Sequence, residues 1–120
     1  MKTILAVDDV PANLQILQGL LSEEYNVKMA KSGKMALLSL ERSIPDLILL
    51  DIEMPEMSGF DVMDIIKQND SLSKIPVVFL TAHASKEFVM DAIQRGAKDY
   101  IVKPFDPDIL RSKIQKLLQG

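Results

Sequence analysis

Five polar residues follow short hydrophobic runs that could be strands of one sheet. Asp8 and Asp9 come after the first run, Asp51 after the third, Thr81 after the fourth and Lys103 after the fifth. If the strands are parallel, these residues meet at one edge, where such sheets bind their ligands. The three carboxylates would repel one another without a cation, and oxygen ligands suit magnesium better than zinc. The pattern therefore predicts a Mg²⁺ site equipped for phosphoryl chemistry.

Each of these residues also has an ordinary structural explanation. Asp8 and Asp9 could cap the helix that is predicted to follow them and interact favourably with its dipole. Taken alone, Asp51 could be a loop acid, Thr81 the cap of a helix and Lys103 a solvated charge. The functional prediction rests on all five occurring together at the carboxyl ends of strands.

The elements that must position these residues form a regular alternation. The predicted strands are Thr3 to Val7, Asn26 to Ala30, Leu47 to Leu50, Val77 to Leu80 and Tyr100 to Val102. The helical spacing between them appears in Leu14, Leu17 and Leu21, in Leu37, Leu40 and Ile44, in Phe60, Met63 and Ile66, in Val89, Ala92 and Ile93, and in Leu110, Ile114 and Leu117. Alternation of this kind predicts a doubly wound α/β sandwich of five β-α units, with parallel strands in the order 2-1-3-4-5 and helices on both faces.

Proline and glycine mark several element ends. Pro11 and Pro107 lie near the predicted starts of the first and fifth helices, where a missing amide hydrogen costs little. Gly96 is predicted to end the fourth helix in the left-handed conformation. Gly59 is predicted to allow a tight turn into the third helix.

The composition is that of a globular chain. Its 120 residues are 48% hydrophobic and 26% charged, with a net charge of −3 and no cysteine. We expect one domain over residues 1–120, and in a longer protein the boundary would follow Gly120. The absence of a dense basic stripe, of a signal peptide and of a long apolar run predicts a cytoplasmic domain without direct nucleic-acid or membrane contact.

Four segments resemble the conserved blocks of the response-regulator receiver family. They are VDD (7–9), LILLDIEMPEMSGFD (47–61), VVFLTA (77–82) and GAKDYIVKPF (96–105). The resemblance runs from Lys2 to about Leu118, with thirty residues from Asp51 to Thr81 and twenty-two from Thr81 to Lys103. It implies the phosphoacceptor domain of a two-component system, a switch that acts only on itself and turns over no substrate.

The resemblance also implies a metal-binding set and a phosphoacceptor. Asp51 would accept the phosphoryl group, Asp9 would bind Mg²⁺ directly and Asp8 would act largely through water. The backbone carbonyl of Glu53 would complete the protein's share of the coordination.

Further roles follow from the same resemblance. Lys103 would pair with Asp51 and then with the phosphoryl oxygens, and Thr81 would hydrogen-bond the phosphoryl group. The rotamer of Tyr100 would follow Thr81, and the Lys103-Pro104 peptide bond would be cis.

The partners implied are those of a phosphorelay. A sensor histidine kinase or a phosphotransfer protein would donate the phosphoryl group. An effector domain or target protein would respond through the surface of the fourth helix, fifth strand and fifth helix, where a phosphorylation-dependent homodimer could also form. Glu53 and His83 would set the lifetime of the phosphorylated state, although a surface-loop histidine is the ordinary explanation of His83.

Three other functions deserve comparison. A phosphatase of the haloacid-dehalogenase kind carries an aspartate two residues after its nucleophile and then a threonine, whereas this chain reads Asp51-Ile52-Glu53-Met54-Pro55. A nucleotide or flavin site needs amides that cradle phosphate, and two acids at the end of the first strand would repel one. A receiver-like interaction domain that is never phosphorylated shares every motif and stays open.

Overall fold

Five strands alternate with five helices in the computed structural model, which describes residues 1–83 and 85–119. The elements are β1 (Thr3–Val7), α1 (Pro11–Leu21), β2 (Asn26–Ala30), α2 (Gly33–Arg42), β3 (Leu47–Asp51), α3 (Gly59–Gln68), β4 (Val77–Thr81), α4 (Lys86–Gln94), β5 (Asp99–Val102) and α5 (Pro107–Leu118). No helix in this described part of the chain is long and apolar enough to cross a membrane.

The strands form one parallel sheet in the order β2-β1-β3-β4-β5. Successive residues of each central strand point to opposite faces, and β3 and β4 are buried along their whole length. One face packs against α1 and α5, and the other packs against α2, α3 and α4. The predicted fold class, strand order and two-sided helical cover are therefore confirmed.

Two strands extend one residue further at their carboxyl ends than predicted, and β5 begins one residue earlier, at Asp99. Asp51 and Thr81 are the last residues of β3 and β4 rather than the first residues after them. Both positions are paired within the sheet, because Asp51 lies opposite Leu80 and Thr81 lies opposite Val102. The ladder thus holds the backbone of these two site residues rigidly.

The second helix ends before Ile44, which was predicted to lie on its apolar face. Ser43 leaves the helical conformation, and Ile44 is 58% exposed. Ile44 precedes Pro45, and the proline ring disfavours the helical conformation of the residue before it. The apolar spacing of this helix therefore stops at Leu40.

The predicted helix ends at proline and glycine are confirmed. Pro11 and Pro107 are the first residues of α1 and α5, and Gly96 follows α4 with a φ of 106°. The hydroxyl of Ser85 caps α4 by accepting a hydrogen bond from the Phe88 amide at 3.3 Å. Thr81 is therefore not the cap of that helix.

Gly59 is required by a close approach of two backbones rather than by a left-handed turn. Its amide donates to the Ile52 carbonyl at 2.8 Å, and among the described glycines only Gly96 has a positive φ. A Cβ at Gly59 would lie 2.3 Å from the carbonyl oxygen of Asp51 and 2.8 Å from the Cα of Ile52. Glycine thus lets the start of α3 rest against the end of β3.

Replacing Gly59 with alanine is expected to lower the free energy of unfolding by about 1 to 3 kcal/mol, because a methyl group would push β3 and α3 apart. The matched control is Gly19→Ala in α1, where an added Cβ meets nothing within 4 Å. That change should stabilise the protein by up to about 1 kcal/mol through helix propensity. Urea unfolding measures both, and equal effects of the two substitutions would contradict the prediction.

Candidate functional site

The carboxyl ends of the central strands open onto one cleft of about 200 Å³. Its lining residues are Asp9, Val10, Asp51, Glu53, Thr81, Ala82 and Lys103. They come from the ends of β3 and β4 and from the loops after β1, β3, β4 and β5. The cleft thus spans the point between β1 and β3 where the strand order reverses.

Three carboxylates lie together at this cleft. Oxygen atoms of Asp8, Asp9 and Asp51 lie within 4.8 Å of one another. Asp8 is 0% exposed and Asp51 is 3% exposed, whereas Asp9 is half-buried. Asp9 and Asp51 line the cleft and Asp8 does not. Such a set of oxygen ligands fits a hard divalent cation such as Mg²⁺.

Asp8 is held by three hydrogen-bond donors. Its Oδ1 accepts from the Val10 amide at 2.9 Å, and its Oδ2 accepts from Asn13 Nδ2 at 3.2 Å and from Lys103 Nζ at 2.9 Å. The N-cap of α1 is Val10, so Asp8 is not a conventional capping side chain. Sequence reasoning missed Asn13, because only its place in the first turn of α1 puts its amide back at Asp8.

Lys103 joins the two buried carboxylates. Its Nζ lies 2.9 Å from Asp8 Oδ2 and 3.0 Å from Asp51 Oδ1. Burial acts to lower the pKa of Lys103, but the hydrogen bonds to Asp8 and Asp51 outweigh it and the pKa is raised. The lysine therefore keeps its positive charge at neutral pH.

The carboxyl group of Asp51 has a raised pKa. Burial raises the pKa of its carboxyl group to about 7, and the negative charge of Asp8 and a hydrogen bond with Asp9 act in the same direction. The hydrogen bond and charge of Lys103 oppose this rise without cancelling it. One ammonium group does not balance three carboxylates, so additional positive charge would favour the ionised form of Asp51.

Thr81 lies at the cleft with its hydroxyl bound to the following loop. Its Oγ1 accepts a hydrogen bond from the His83 amide at 2.8 Å and donates to the His83 carbonyl at 3.0 Å. The Thr81 carbonyl also accepts from the Lys103 amide at 2.8 Å. The position of the hydroxyl is therefore coupled to the loop between β4 and α4.

Glu53 and His83 form a pair of exposed side chains near the cleft. His83 Nε2 lies 3.0 Å from Glu53 Oε1, and both side chains are more than half exposed. The His83 ring lies 6.0 Å from the Phe88 ring of α4, centroid to centroid. These contacts join the loop after β3 to the loop after β4.

Tyr100 is half-buried on β5 and contacts α5 through a lysine. Lys113 Nζ lies 4.4 Å from the centroid of the Tyr100 ring and donates to the Tyr100 carbonyl at 2.6 Å. Sequence reasoning missed Lys113, because no local motif marks its contact with a residue 13 positions away. The Lys103-Pro104 peptide bond after β5 is cis.

Comparisons with known proteins place this site in a family. The family model of the response regulator receiver domain matches residues 4–115. A probable cyclic di-GMP phosphodiesterase of Vibrio cholerae is 44% identical over 98% of this chain. The structure of the chemotaxis protein CheY4 of Vibrio cholerae aligns with a TM-score of 0.93 and 31% identity, covering 98% of this chain and 99% of that one.

A further solved structure bears on the metal. The receiver domain of a sensor histidine kinase from Pseudomonas aeruginosa has a magnesium ion coordinated in its active-site cleft. It aligns with a TM-score of 0.90 and 29% identity, over 99% of this chain and 98% of that one. The chain matches only a part of the Vibrio cholerae phosphodiesterase, because it spans 27% of the length of that protein. The chain belongs to the receiver domain family of two-component response regulators.

Proposed function

We propose that Asp51 accepts a phosphoryl group from a phosphohistidine donor and that the domain is a phosphorylation-dependent switch. The observation that carries this proposal is the cluster around Asp51. Its Oδ1 lies 3.0 Å from Lys103 Nζ, and two further carboxylates adjoin it. Phosphoryl transfer depends chiefly on positioning and on neutralising the charge of the phosphoryl oxygens, and this cluster is suited to both.

The metal of the site would be Mg²⁺, held by Asp9, by Asp51 and by the backbone carbonyl of Glu53. Asp8 would act through water, in keeping with its place outside the cleft lining. The magnesium-containing receiver structure of similar fold supports this choice. When bound, the ion supplies the positive charge that lowers the pKa of Asp51 and screens the phosphoryl oxygens.

The chemical step needs no general base, because an ionised Asp51 is itself the nucleophile. Its carboxylate oxygen would attack phosphorus in line with the bond to the donor imidazole. The phosphorus–nitrogen bond breaks as the phosphorus–oxygen bond forms, and the imidazole leaves with the electron pair. Lys103 would shift its hydrogen bond from Asp51 to a phosphoryl oxygen. Water later hydrolyses the acyl phosphate. Because both reactions take place on Asp51, the domain would act only on itself.

The response would begin at Thr81. A phosphoryl group adds about −1.5 to −2 charge and three acceptor oxygens, and it would compete for the hydroxyl that now donates to His83. Withdrawal of that hydroxyl would move the loop before α4 and free space beside the half-buried ring of Tyr100. The two arrangements form an equilibrium that phosphorylation shifts.

The surface of α4, β5 and α5 would transmit this change. An effector domain or target protein would bind there, and a second copy could form a phosphorylation-dependent homodimer. The donor would be a sensor histidine kinase or a phosphotransfer protein. Glu53 and His83, paired near the cleft, would govern how readily water reaches the acyl phosphate.

Incubation with acetyl phosphate and Mg²⁺, followed by intact mass measurement, tests the proposal. We expect a gain of one phosphoryl group that is lost on chelation of Mg²⁺ and absent in Asp51→Asn. Asp70→Asn, which alters an exposed acid outside the cleft, is the matched control and should be phosphorylated normally. A gain that survives Asp51→Asn, or no gain in the unaltered protein, would overturn the proposal and favour an interaction domain that is never phosphorylated.

A further inference from the structure

The β2-α2 segment carries a local excess of positive charge on an acidic protein. It contains four basic residues and one acidic residue, namely Lys28, Lys31, Lys34, Arg42 and Glu41. The segment is therefore positive by three charges, although the whole chain has a net charge of −3. All four basic side chains are exposed, and none forms an ion pair within residues 1–83 and 85–119.

A groove of about 450 Å³ lies between β2 and α2. Its lining residues are Lys28, Met29, Met35, Leu38, Ser39 and Arg42. Met29, Met35 and Leu38 are 44%, 50% and 49% exposed, so the groove has an apolar surface with a basic residue from each element. Methionine side chains are flexible and polarisable, and they adapt to varied apolar partners.

The groove borders an open edge of the sheet. β2 is the first strand in the order β2-β1-β3-β4-β5, and among the described strands it pairs with β1 alone. An edge strand presents a row of backbone amide and carbonyl groups that another extended segment can pair with. Lys28 lies on this edge strand, donates a hydrogen bond to the Ser43 hydroxyl and forms no ion pair with the residues that the structure describes.

We propose that the β2-α2 groove binds an extended segment of a partner protein that carries both acidic and apolar side chains. Such a segment would add a strand to β2. Lys28 lies opposite Leu5, on the side of the sheet that α2 covers, so side chains of the segment on that side would meet Met35 and Leu38 and direct carboxylates to Lys28 and Arg42. Met29 lies opposite Ala6 on the other side of the sheet, where it would meet an apolar side chain of the segment. Strand addition supplies affinity through the backbone, and the alternate side chains supply specificity. This surface is separate from the cleft residues and does not depend on phosphorylation.

The charges of the groove disfavour a second copy of this chain as the occupant. Pairing of two β2 edges would bring basic residues of one copy close to the same residues of the other, and like charges across paired strands are destabilising. A nucleic acid would match the charge but leave the three apolar side chains without a partner. An acidic, apolar peptide satisfies the charge, the apolar surface and the open edge together.

A displayed library of random short peptides, selected on the full chain, tests this proposal. We expect enrichment of peptides that combine acidic and apolar residues. Synthetic copies of those peptides should shift the backbone amide NMR signals of β2 and α2. Lys28→Glu and Met35→Ala should each weaken their binding about tenfold, which corresponds to about 1.4 kcal/mol.

Matched variants distinguish peptide binding at the groove from general effects of surface charge and exposed apolar side chains. Met90→Ala removes a methionine with the same 50% exposure on α4, and Lys98→Glu reverses another exposed lysine. Both should bind the peptides with unchanged affinity, and all four variants should keep the circular dichroism spectrum of the unaltered protein. Asp51→Asn should also bind unchanged, so a failed phosphorylation experiment would not affect this result.

Several outcomes would overturn the proposal. These are no enrichment, enrichment of peptides without acidic residues, or NMR shifts confined to α4, β5 and α5. Parallel titrations with a DNA duplex and with phosphatidylglycerol vesicles test the other anionic partners. If either of these, and no selected peptide, shifts the β2 and α2 signals, the groove serves that partner instead.

Discussion

Substitution of Lys103 by methionine is expected to lower the free energy of unfolding by about 3 to 5 kcal/mol at about pH 8 without divalent cations. Lys103 Nζ lies 2.9 Å from Asp8 Oδ2 and 3.0 Å from Asp51 Oδ1, and both carboxylates are buried. Methionine has a similar length but no charge, so two carboxylates would face each other without a cation. Acidification should reduce the loss, because protonation removes the carboxylate charges.

The same variant should be phosphorylated more slowly by about two to three orders of magnitude, because a charge that meets the phosphoryl oxygens is absent. Urea unfolding measures the first effect, and the time course of intact mass measures the second. Lys98→Met is the matched control, since Lys98 is exposed and forms no ion pair among the described residues. It should change stability by no more than about 0.5 kcal/mol. If the two lysine variants behave alike, the role assigned to Lys103 is wrong.

Asp51→Asn is expected to raise the free energy of unfolding above about pH 7 by up to about 4 kcal/mol without divalent cations. Burial raises the pKa of Asp51 from 3.8 to about 7, so the folded protein holds a proton that the unfolded chain has released. Below pH 3.8, the Asp51 carboxyl group is protonated in the folded and the unfolded protein, and it does not lower the free energy of unfolding. Between the two pKa values, the free energy of unfolding of the unaltered protein falls by about 1.4 kcal/mol per pH unit. Above about pH 7 it falls no further through this group. An asparagine at this position carries no such cost.

The free energy of unfolding of the unaltered protein and of Asp51→Asn should be measured from about pH 4 to pH 8. The difference between them isolates the contribution of Asp51 from those of the other acids. Mg²⁺ provides a second comparison, because it should stabilise the unaltered protein more than the variant. The difference between their free energies of unfolding should therefore become smaller when Mg²⁺ is added. Asp70→Asn should show no comparable trend, since Asp70 is exposed and lies outside the cleft. A variant that is less stable than the unaltered protein at pH 8 without metal would refute the argument.

The positions of the chemical groups along the chain were largely predictable. Short β-branched and leucine-rich runs specified five strands, and right-handed crossovers left few ways to order them. Given that order, Asp8, Asp9, Asp51, Thr81 and Lys103 had to meet at one edge, and they do. Element ends were less predictable, because Asp51 and Thr81 belong to strands through pairing with neighbours distant in sequence.

The environment of each group depended on the tertiary structure. The residue types of Asp8 and Asp9 are the same, yet packing buries the first beneath the cleft and leaves the second at its wall. The pKa of Asp51 near 7 arises chiefly from desolvation, which depends on how packing buries its carboxyl group at the end of β3. Neither property is encoded by spacing along the chain.

The amino-acid sequence by itself determined the fold and the residues available for chemistry, since these follow from the hydrophobic period and from the residues at the strand ends. It also indicated the family, through the resemblance of four segments to the conserved blocks of receiver domains. Only the tertiary structure decided that Gly59 must admit a neighbouring backbone, that Asn13 supports Asp8, and that Met35 faces a basic groove. The physical reason is that the residues in contact are far apart along the chain. Close approach, burial and charge separation are set by elements that packing brings together, and local sequence does not record them.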